Sequence, residues 1–179
     1  MSKKNPVRRA IVTPDKHFPL ADMPAIKALC KAIEIVKPDI YIDLGDVGEW
    51  HGCSHWQWRK KKRPPIEYQL PFIDKDIKGV NSGMDIIDEA LDKVNCKEKY
   101  MIEGNHDDWM NRFTEEHPYL NYEFHKVVKL KERGYTFYQI GKYLKVGKLF
   151  FYHGHHFAGM HHSRNHLIRL GCNIMYGHH

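Results

Sequence analysis

Short apolar segments that alternate with helical stretches are the feature that most restricts the fold of this 179-residue chain. The segments 9–13, 39–44 and 99–102 are short and largely apolar, which predicts strands. Helical spacing of apolar residues predicts helices over Met23–Val36 and Asp74–Val94. Because strands that alternate with helices favour βαβ units, we expect a parallel sheet with helices on its faces.

The later part of the chain has the shorter period that is typical of strands. The segments 135–140, 143–146 and 149–152 are separated by Gly-Lys pairs at 141–142 and 147–148, which favours hairpins and a second sheet. The other predicted elements are helices over Tyr119–Leu130 and His161–Leu170 and a strand over Asn173–Tyr176. The expected class is therefore α/β with two sheets.

Length and composition predict one domain over residues 1–179, with a basic, aromatic loop insertion over 51–66. No apolar run approaches the roughly 20 residues of a membrane span, so we expect no membrane helix. The start, MSKKNPVRRA, has no apolar stretch behind its charges, so we expect no signal peptide. The four cysteines form no C-x-x-C pair, which favours reduced thiols and a cytoplasmic location.

Polar clusters follow the predicted strands directly. The clusters are Asp15-x-His17, Gly45-Asp46, Gly104-Asn105-His106-Asp107, His153-Gly154-His155-His156 and Gly177-His178-His179. The carboxyl ends of strands in an open α/β sheet share one edge, where ligands bind, so five segments would deliver their side chains to one place. Taken singly, each cluster also fits turn and cap chemistry. Taken together, their mixed nitrogen and oxygen donors predict two divalent ions bridged by a carboxylate.

Histidine is in excess, with 14 residues in the chain, and it is the commonest metal ligand. The spacing of the remaining histidines is not that of a tight ligand set, so we interpret these histidines as solvated or hydrogen-bonded. They include His156, His161, His162 and His166. The sequence His51-x-Cys53-x-His55 has no fourth ligand nearby and is interpreted as loop, where one histidine could contact substrate.

The ordered set D-x-H, G-D, G-N-H-D, H-G-H and terminal G-H resembles that of the calcineurin-like metallophosphoesterases, particularly the nuclease and phosphodiesterase branch. The resemblance runs from Asp15 to the last residue. It implies a four-layer α/β/β/α sandwich with mixed sheets and a metal-dependent hydrolysis of phosphate esters. It also implies two divalent ions, with manganese as the first choice, while Fe, Zn, Ni, Co and Mg also fit the donors.

The resemblance assigns a role to each strand-end residue. Asp15 and His17 would bind the first ion, Asp46 would bridge both ions, and Asn105, His153 and His178 would bind the second. His106 would act beside the phosphate as proton donor or charge stabiliser, oriented by Asp107. We favour His153 over His155 as the ligand because it directly ends its strand, as the other ligands do.

The chain departs from the family pattern in two places, and it also lacks the signatures of one branch. The last family motif is G-H-x-H, but here His179 occupies the x position. We expect either that the second histidine and the final strands lie beyond residue 179 or that the first metal site has one ligand fewer. Glu49 stands where many members carry Asp, and its role is open. The sequences GDVGEW and GNHDDW lack the signatures of the protein Ser/Thr phosphatases, which disfavours a phosphoprotein substrate.

The insertion carries the clearest indication of the substrate. The predicted substrate contacts are Trp56, Trp58, Arg59, Lys60, Lys61, Lys62 and Arg63. Five of these residues are basic, against a net charge of +6, and they could pair with phosphates while the tryptophans stack on the bases of DNA or RNA. A solvated loop, a phosphorylated lipid and a basic targeting patch are the competing interpretations.

Three functions remain open from the sequence. The first is a phosphodiesterase that acts on nucleic acid. The second is a phosphomonoesterase of small molecules or nucleotides, which would not depend on the charges of the insertion. The third is a scaffold subunit with a decayed metal site, against which the near-complete motif set argues.

Overall fold

The computed structural model describes residues 7–179. The strands of its first sheet are β1 (Ala10–Thr13), β2 (Ile40–Asp43), β3 (Glu98–Ile102) and β4 (Tyr135–Tyr138). They are parallel and adjacent in the order β1-β2-β3-β4. The register pairs Thr13 with Asp43 and Asp43 with Met101. The loops that follow β1, β2 and β3 therefore begin side by side at one edge of the sheet.

Four helices cover one face of this sheet. They are α1 (Met23–Val36), α2 (Ile66–Lys93), α3 (Asn105–Glu116) and α4 (Phe124–Val127). The first begins after Asp22, whose carboxylate accepts a hydrogen bond from the Ala25 amide, and it ends at Lys37 in the left-handed conformation. Ile33 of α1, Val80 of α2 and Tyr41 of β2 belong to one buried apolar core, which joins the helices to the sheet.

The second sheet packs on the opposite face of the first. Its strands are β5 (Leu144–Val146), β6 (Leu149–Tyr152) and β7 (Ile174–Tyr176), where β5 and β6 are antiparallel and β6 and β7 are parallel. Side chains alternate across β2, so Tyr41 faces the helices while Ile40 and Ile42 face the second sheet. Ile42, Leu144 and Phe151 form part of the core between the sheets.

The last helix, α5 (His162–Leu170), lies on the outer face of the second sheet. The His166 ring of α5 stacks on the Tyr176 ring of β7, with centroids 3.9 Å apart. The layers thus run helices, parallel sheet, mixed sheet, helix. This arrangement confirms the predicted α/β/β/α sandwich.

Three predicted elements differ from the structure. The strand at 135–140 is not part of a hairpin, because Tyr135–Tyr138 pairs in parallel with β3 at the edge of the first sheet. The helix predicted over Tyr119–Leu130 is wrong, since Asn121 adopts a left-handed conformation (φ 53°) between a 3-10 turn and the single turn of α4. The segment from Asn105 was predicted only as a strand-end cluster, but it begins the helix α3.

The insertion predicted over 51–66 is not wholly irregular. His55–Trp58 forms a 3-10 helix, and Ile66 is already the first residue of α2. That helix begins before the predicted Asp74 and contains Pro71. The insertion therefore connects directly to the longest helix of the fold.

Three further expectations concern location. No helix within residues 7–179 has both the length and the apolar character needed to cross a bilayer. The four cysteines are free thiols. The expected lack of a signal peptide concerns the first ten residues, of which 1–6 lie outside the described part of the chain.

Candidate metal centre

Loops from both sheets meet at one edge of the sandwich. The Asp15 amide donates to the Gly45 carbonyl (3.0 Å), and the Gly177 amide donates to the His153 carbonyl (2.8 Å). The His178 amide donates to Asp15 Oδ2 (2.8 Å), which links the last loop of the second sheet to the first loop of the first. These loops surround an open cavity of about 410 Å³ lined by Asp15, His17, Asp46, His106, His178 and His179.

Asp46 lies at the centre of the cluster and is almost fully buried. Its Oδ1 accepts a hydrogen bond from the His106 amide (2.8 Å), and its Oδ2 lies 3.2 Å from His153 Nε2 and 3.9 Å from His178 Nδ1. Burial opposes ionisation, but the contacts with His153 and His178 outweigh it and lower the pKa of Asp46. The carboxylate is therefore charged at neutral pH.

Two sets of donor atoms share this carboxylate. Within residues 7–179, two groups of acidic and histidine side chains have donor atoms that all lie within 4.8 Å of one another. The first group is Asp15, Asp46, His153 and His178, and the second is His17, Asp46 and His106. Asp46 is the only member of both sets in the described chain. A carboxylate between two donor sets is the arrangement that a bridged pair of ions requires.

The surroundings of His153 fit a cation. Its Nδ1 lies 2.9 Å from the Leu44 carbonyl, which fixes the proton on Nδ1. Nε2 then carries a lone pair, yet it faces Asn105 Oδ1 at 2.8 Å, His178 Nδ1 at 3.1 Å and Asp46 Oδ2. One proton satisfies only one of these contacts, whereas a divalent cation satisfies all of these donors together.

On the other side of Asp46, Glu49 joins the site. Glu49 Oε2 lies 2.9 Å from His17 Nδ1 and 3.6 Å from His106 Nδ1. The His17 and His106 rings meet edge to face, with centroids 4.7 Å apart. The sequence left the role of Glu49 open, and the structure places it against both histidines of this donor set.

The structure gathers all six residues that the sequence predicted as ligands, but it distributes them differently. The prediction grouped Asp15 with His17. Instead, Asp15 shares a donor set with His153 and His178, while His17 lies with His106. Asn105 lies beside His153, as its predicted role requires. The His155 ring lies farther out, 5.8 Å from that of His153, and the donor sets do not include it.

The loops of the site adopt an unusual backbone conformation. Asp15, His17, Asp46 and His178 have φ between 50° and 70°, in the left-handed region that non-glycine residues rarely adopt. A Cβ atom on Gly104 would collide with the Asp46 carboxylate. The glycine therefore allows the loop after β3 to approach the loop after β2 closely.

The hydrogen-bond partners of Asp107 differ from the predicted partner, which was His106. Its buried carboxylate accepts hydrogen bonds from the Trp50 indole (2.8 Å), the Gly104 amide (3.1 Å), the Gly48 amide (3.3 Å) and the Val47 amide (3.4 Å). Burial, followed by the Asp46 charge, raises the pKa of Asp107 to about 7. Asp107 thus holds the loop after Asp46, whereas Glu49 is the residue that contacts the His106 ring.

Replacing Asp107 with Ala is expected to lower the free energy of unfolding by about 2–5 kcal/mol, because it leaves several buried donors without an acceptor. Urea denaturation measures the change. The neighbouring substitution Asp108→Ala removes only a contact with the exposed Arg112 and should cost no more than about 1 kcal/mol. Equal losses for the two variants would contradict this role of Asp107.

His106, a member of the second donor set, contacts an aromatic side chain that the sequence did not single out. Its ring stacks on Trp109, with centroids 3.9 Å apart and planes inclined by 28°. Burial lowers the pKa of His106, although Asp46 and Glu49 oppose the shift. If a helix had been predicted to begin at Asn105, the three-residue spacing of His106 and Trp109 would have placed their rings next to each other on one helix face.

The basic residues of the insertion are not equivalent. Arg63 donates to Glu116 Oε2 (2.6 Å) and to Gln69 Oε1 (3.0 Å), so it ties the insertion to α2 and α3. The Arg59 guanidinium lies over the Trp56 ring, 5.1 Å from its centroid. Lys60, Lys61 and Lys62 are exposed. Trp58 is half-buried and lines a separate cavity of about 290 Å³.

The remaining histidines lie outside the two donor sets. The His162 and His166 rings pack against Tyr176, and His162 Nδ1 lies 2.9 Å from the Tyr176 hydroxyl. The His179 ring packs on His162, and its Nε2 lies 3.0 Å from the Phe157 carbonyl. These contacts place His162 and His166 in aromatic packing on the outer face of the second sheet, and His179 packs beside them while also lining the cavity of the site.

Comparison with known proteins adds one finding. A family model described as calcineurin-like phosphoesterase matches residues 9–174. The matched range contains every member of the two donor sets except His178. A search of curated proteins gave no match.

Proposed function

This chain belongs to the calcineurin-like phosphoesterase family of metal-dependent hydrolases, and we propose that it is a phosphodiesterase that acts on nucleic acid. Members of the family bind a dinuclear metal centre, and this chain has candidate ligands for one. The observation that carries the proposal is that Asp46 belongs to both donor sets. The free thiols support the cytoplasmic location expected from the sequence.

We assign the ligands from the contacts. Asp15, Asn105, His153 and His178 would hold one ion, His17 the other, and Asp46 both. Glu49 Oε2 lies 2.9 Å from His17 Nδ1, so Nε2 of that ring would be the ligand atom. The mixed nitrogen and oxygen donors suit a first-row divalent ion. We take manganese as the first choice, and Fe, Zn, Ni, Co and Mg are the alternatives to test.

The residues around the ions then have separate tasks. When bound, two divalent ions neutralise charge on the phosphoryl oxygens and activate the attacking water. In its doubly protonated form His106 would supply the Nε2 proton to the leaving oxygen, while its Nδ1 faces the Glu49 carbonyl at 3.3 Å. Asp107 keeps the loop between Asp46 and Trp50 in place through hydrogen bonds from Val47, Gly48 and Trp50.

The substrate proposal rests on the insertion. Lys60, Lys61 and Lys62 are exposed, and no opposing charge is paired with them in the described chain. Trp56 is 53% exposed beside them. Exposed lysines with an adjacent aromatic ring favour a polyanion with bases over a small phosphate monoester. The family match alone does not specify the substrate.

A side-by-side assay tests the reaction class. With Mn²⁺ we expect turnover of bis-p-nitrophenyl phosphate to exceed turnover of p-nitrophenyl phosphate. EDTA should abolish hydrolysis, and added Mn²⁺ should restore it, since both donor sets lose their ions to the chelator. Full activity in EDTA would exclude the metal mechanism. Faster hydrolysis of the monoester would favour the phosphomonoesterase.

A further inference from the structure

A row of four aromatic rings leads from the metal centre to the exposed end of the insertion. His106 stacks on Trp109 at 3.9 Å, the Trp109 and His55 centroids are 6.4 Å apart, and those of His55 and Trp56 are 4.8 Å apart. Arg59 ends the row by lying over Trp56. We refer to His106, Trp109, His55, Trp56 and Arg59 as the aromatic row.

We propose that the aromatic row binds the unpaired bases of a single-stranded nucleic acid, so that the substrate is single-stranded rather than duplex. This inference rests on the proposed phosphodiesterase function and specifies its substrate. Trp109 and His55 would then also position the substrate, in addition to Trp56 and Trp58, which the sequence indicated. The row begins at His106, so a phosphate in the metal centre would place the adjoining nucleotide next to Trp109.

The exposure of the row increases away from the metal centre. Trp109 is half-buried and packs against the apolar core, which fixes the inner end. His55 is exposed, and Trp56 is 53% exposed, so much of the outer indole faces solvent. The 3-10 helix His55–Trp58 holds both outer rings on one turn. The row thus has a packed inner end and a solvent-exposed outer end.

The charges beside the row complement a single strand. Lys60, Lys61 and Lys62 follow Arg59 directly and are exposed, so phosphates could pair with them while bases stack on the rings. Arg63 is bonded to Glu116 and does not take part. In a duplex the base faces are covered by their neighbours, so the rings would contribute nothing and only the lysines would bind.

Equilibrium binding tests the inference. Fluorescence anisotropy with wild-type protein and Mn²⁺ would compare a labelled, phosphorothioate-linked single strand of about ten nucleotides with a hairpin duplex of equal length. We expect tighter binding of the single strand. Trp56→Ala should weaken single-strand binding by about 5- to 150-fold, which corresponds to the loss of one stacked base.

Further variants separate stacking from charge. Trp109→Leu, which keeps an apolar side chain in the core, should also weaken single-strand binding. Tyr68→Ala is the matched control, because Tyr68 is 70% exposed on α2 but lies outside the aromatic row. This variant should bind the single strand with the same affinity as wild type. Replacing Lys60, Lys61 and Lys62 with Gln should reduce the salt dependence, by about 0.7 in slope for each phosphate that the variant no longer neutralises.

The outcomes distinguish this inference from the proposed function. Equal or tighter binding of the duplex, or unchanged single-strand affinity in Trp56→Ala, would overturn the aromatic row as a base-binding site. If wild-type protein still hydrolyses bis-p-nitrophenyl phosphate in that case, the phosphodiesterase proposal stands. If it hydrolyses no diester, the proposed function fails, and the binding data alone decide whether the row recognises single strands.

Discussion

The substitution Asp46→Asn is expected to remove phosphodiester hydrolysis, with kcat/KM lowered by about 10³-fold or more. Asp46 is the one carboxylate that both donor sets share in the described chain, so its loss weakens both metal sites at once. The asparagine keeps a carbonyl oxygen in place of Oδ1 for the His106 amide, which preserves the local backbone contact. Hydrolysis of bis-p-nitrophenyl phosphate with Mn²⁺ measures the effect.

A matched control separates this loss from a general effect of charge. Asp92→Asn removes a carboxylate whose side chain is 74% exposed on α2, and hydrolysis should be unchanged. The melting temperature of both variants should be recorded without added metal, so that a folding defect is recognised. Activity of Asp46→Asn within a few-fold of wild type would contradict a bridging role.

The substitution His106→Phe is expected to lower kcat by about 10²–10⁴-fold for an oligonucleotide, because phenylalanine keeps a ring against Trp109 but carries no proton. For bis-p-nitrophenyl phosphate the loss should be much smaller, since nitrophenolate leaves without a proton. We also expect Asp46→Asn to be at least as severe, because the bridge supports both ions.

The dependence on the leaving group is the informative part of this experiment. His125→Phe is the control: His125 stacks on Phe137, away from the donor sets, and its replacement should leave both rates unchanged. An equal loss for the two substrates in His106→Phe would indicate that this histidine stabilises charge or orders the site. Unchanged rates would exclude it from the reaction.

Much of the site could be predicted because its residues follow strands directly. Asp15, Asp46 and Asn105 lie at the ends of parallel neighbours, and the parallel register alone brings them together. The sequence could not indicate how the second sheet docks. That docking decides that Asp15 accepts from the His178 amide, and hence that Asp15 lies in the donor set of His153 rather than that of His17.

The errors in the fold have a common cause. Periodicity reports the environment of side chains along the chain, but it does not report which strand is the neighbour. Tyr135–Tyr138 has a strand pattern and a following Gly-Lys pair, so a hairpin was the local expectation, but tertiary packing places it beside β3. At Asn121 the error is local, because a single residue in the left-handed conformation interrupts a segment whose periodicity is helical.

Residue roles were harder to predict than residue positions. Asp107 and Glu49 are both acidic and both near His106 in the fold, and nothing in the sequence distinguishes their tasks. The structure does so by burial, since Asp107 is fully buried among backbone donors while Glu49 is partly exposed beside two imidazoles. Trp109 was missed because the segment after β3 was not predicted to be a helix.

We expect this chain to hold a pair of divalent ions bridged by Asp46. The most direct test is the metal content of purified protein after reconstitution with Mn²⁺ and removal of free ions, measured by mass spectrometry. Wild type should retain close to two ions per chain, and Asp46→Asn should show a marked loss. Protein that retains no metal yet hydrolyses phosphodiesters in the presence of chelator would contradict this expectation.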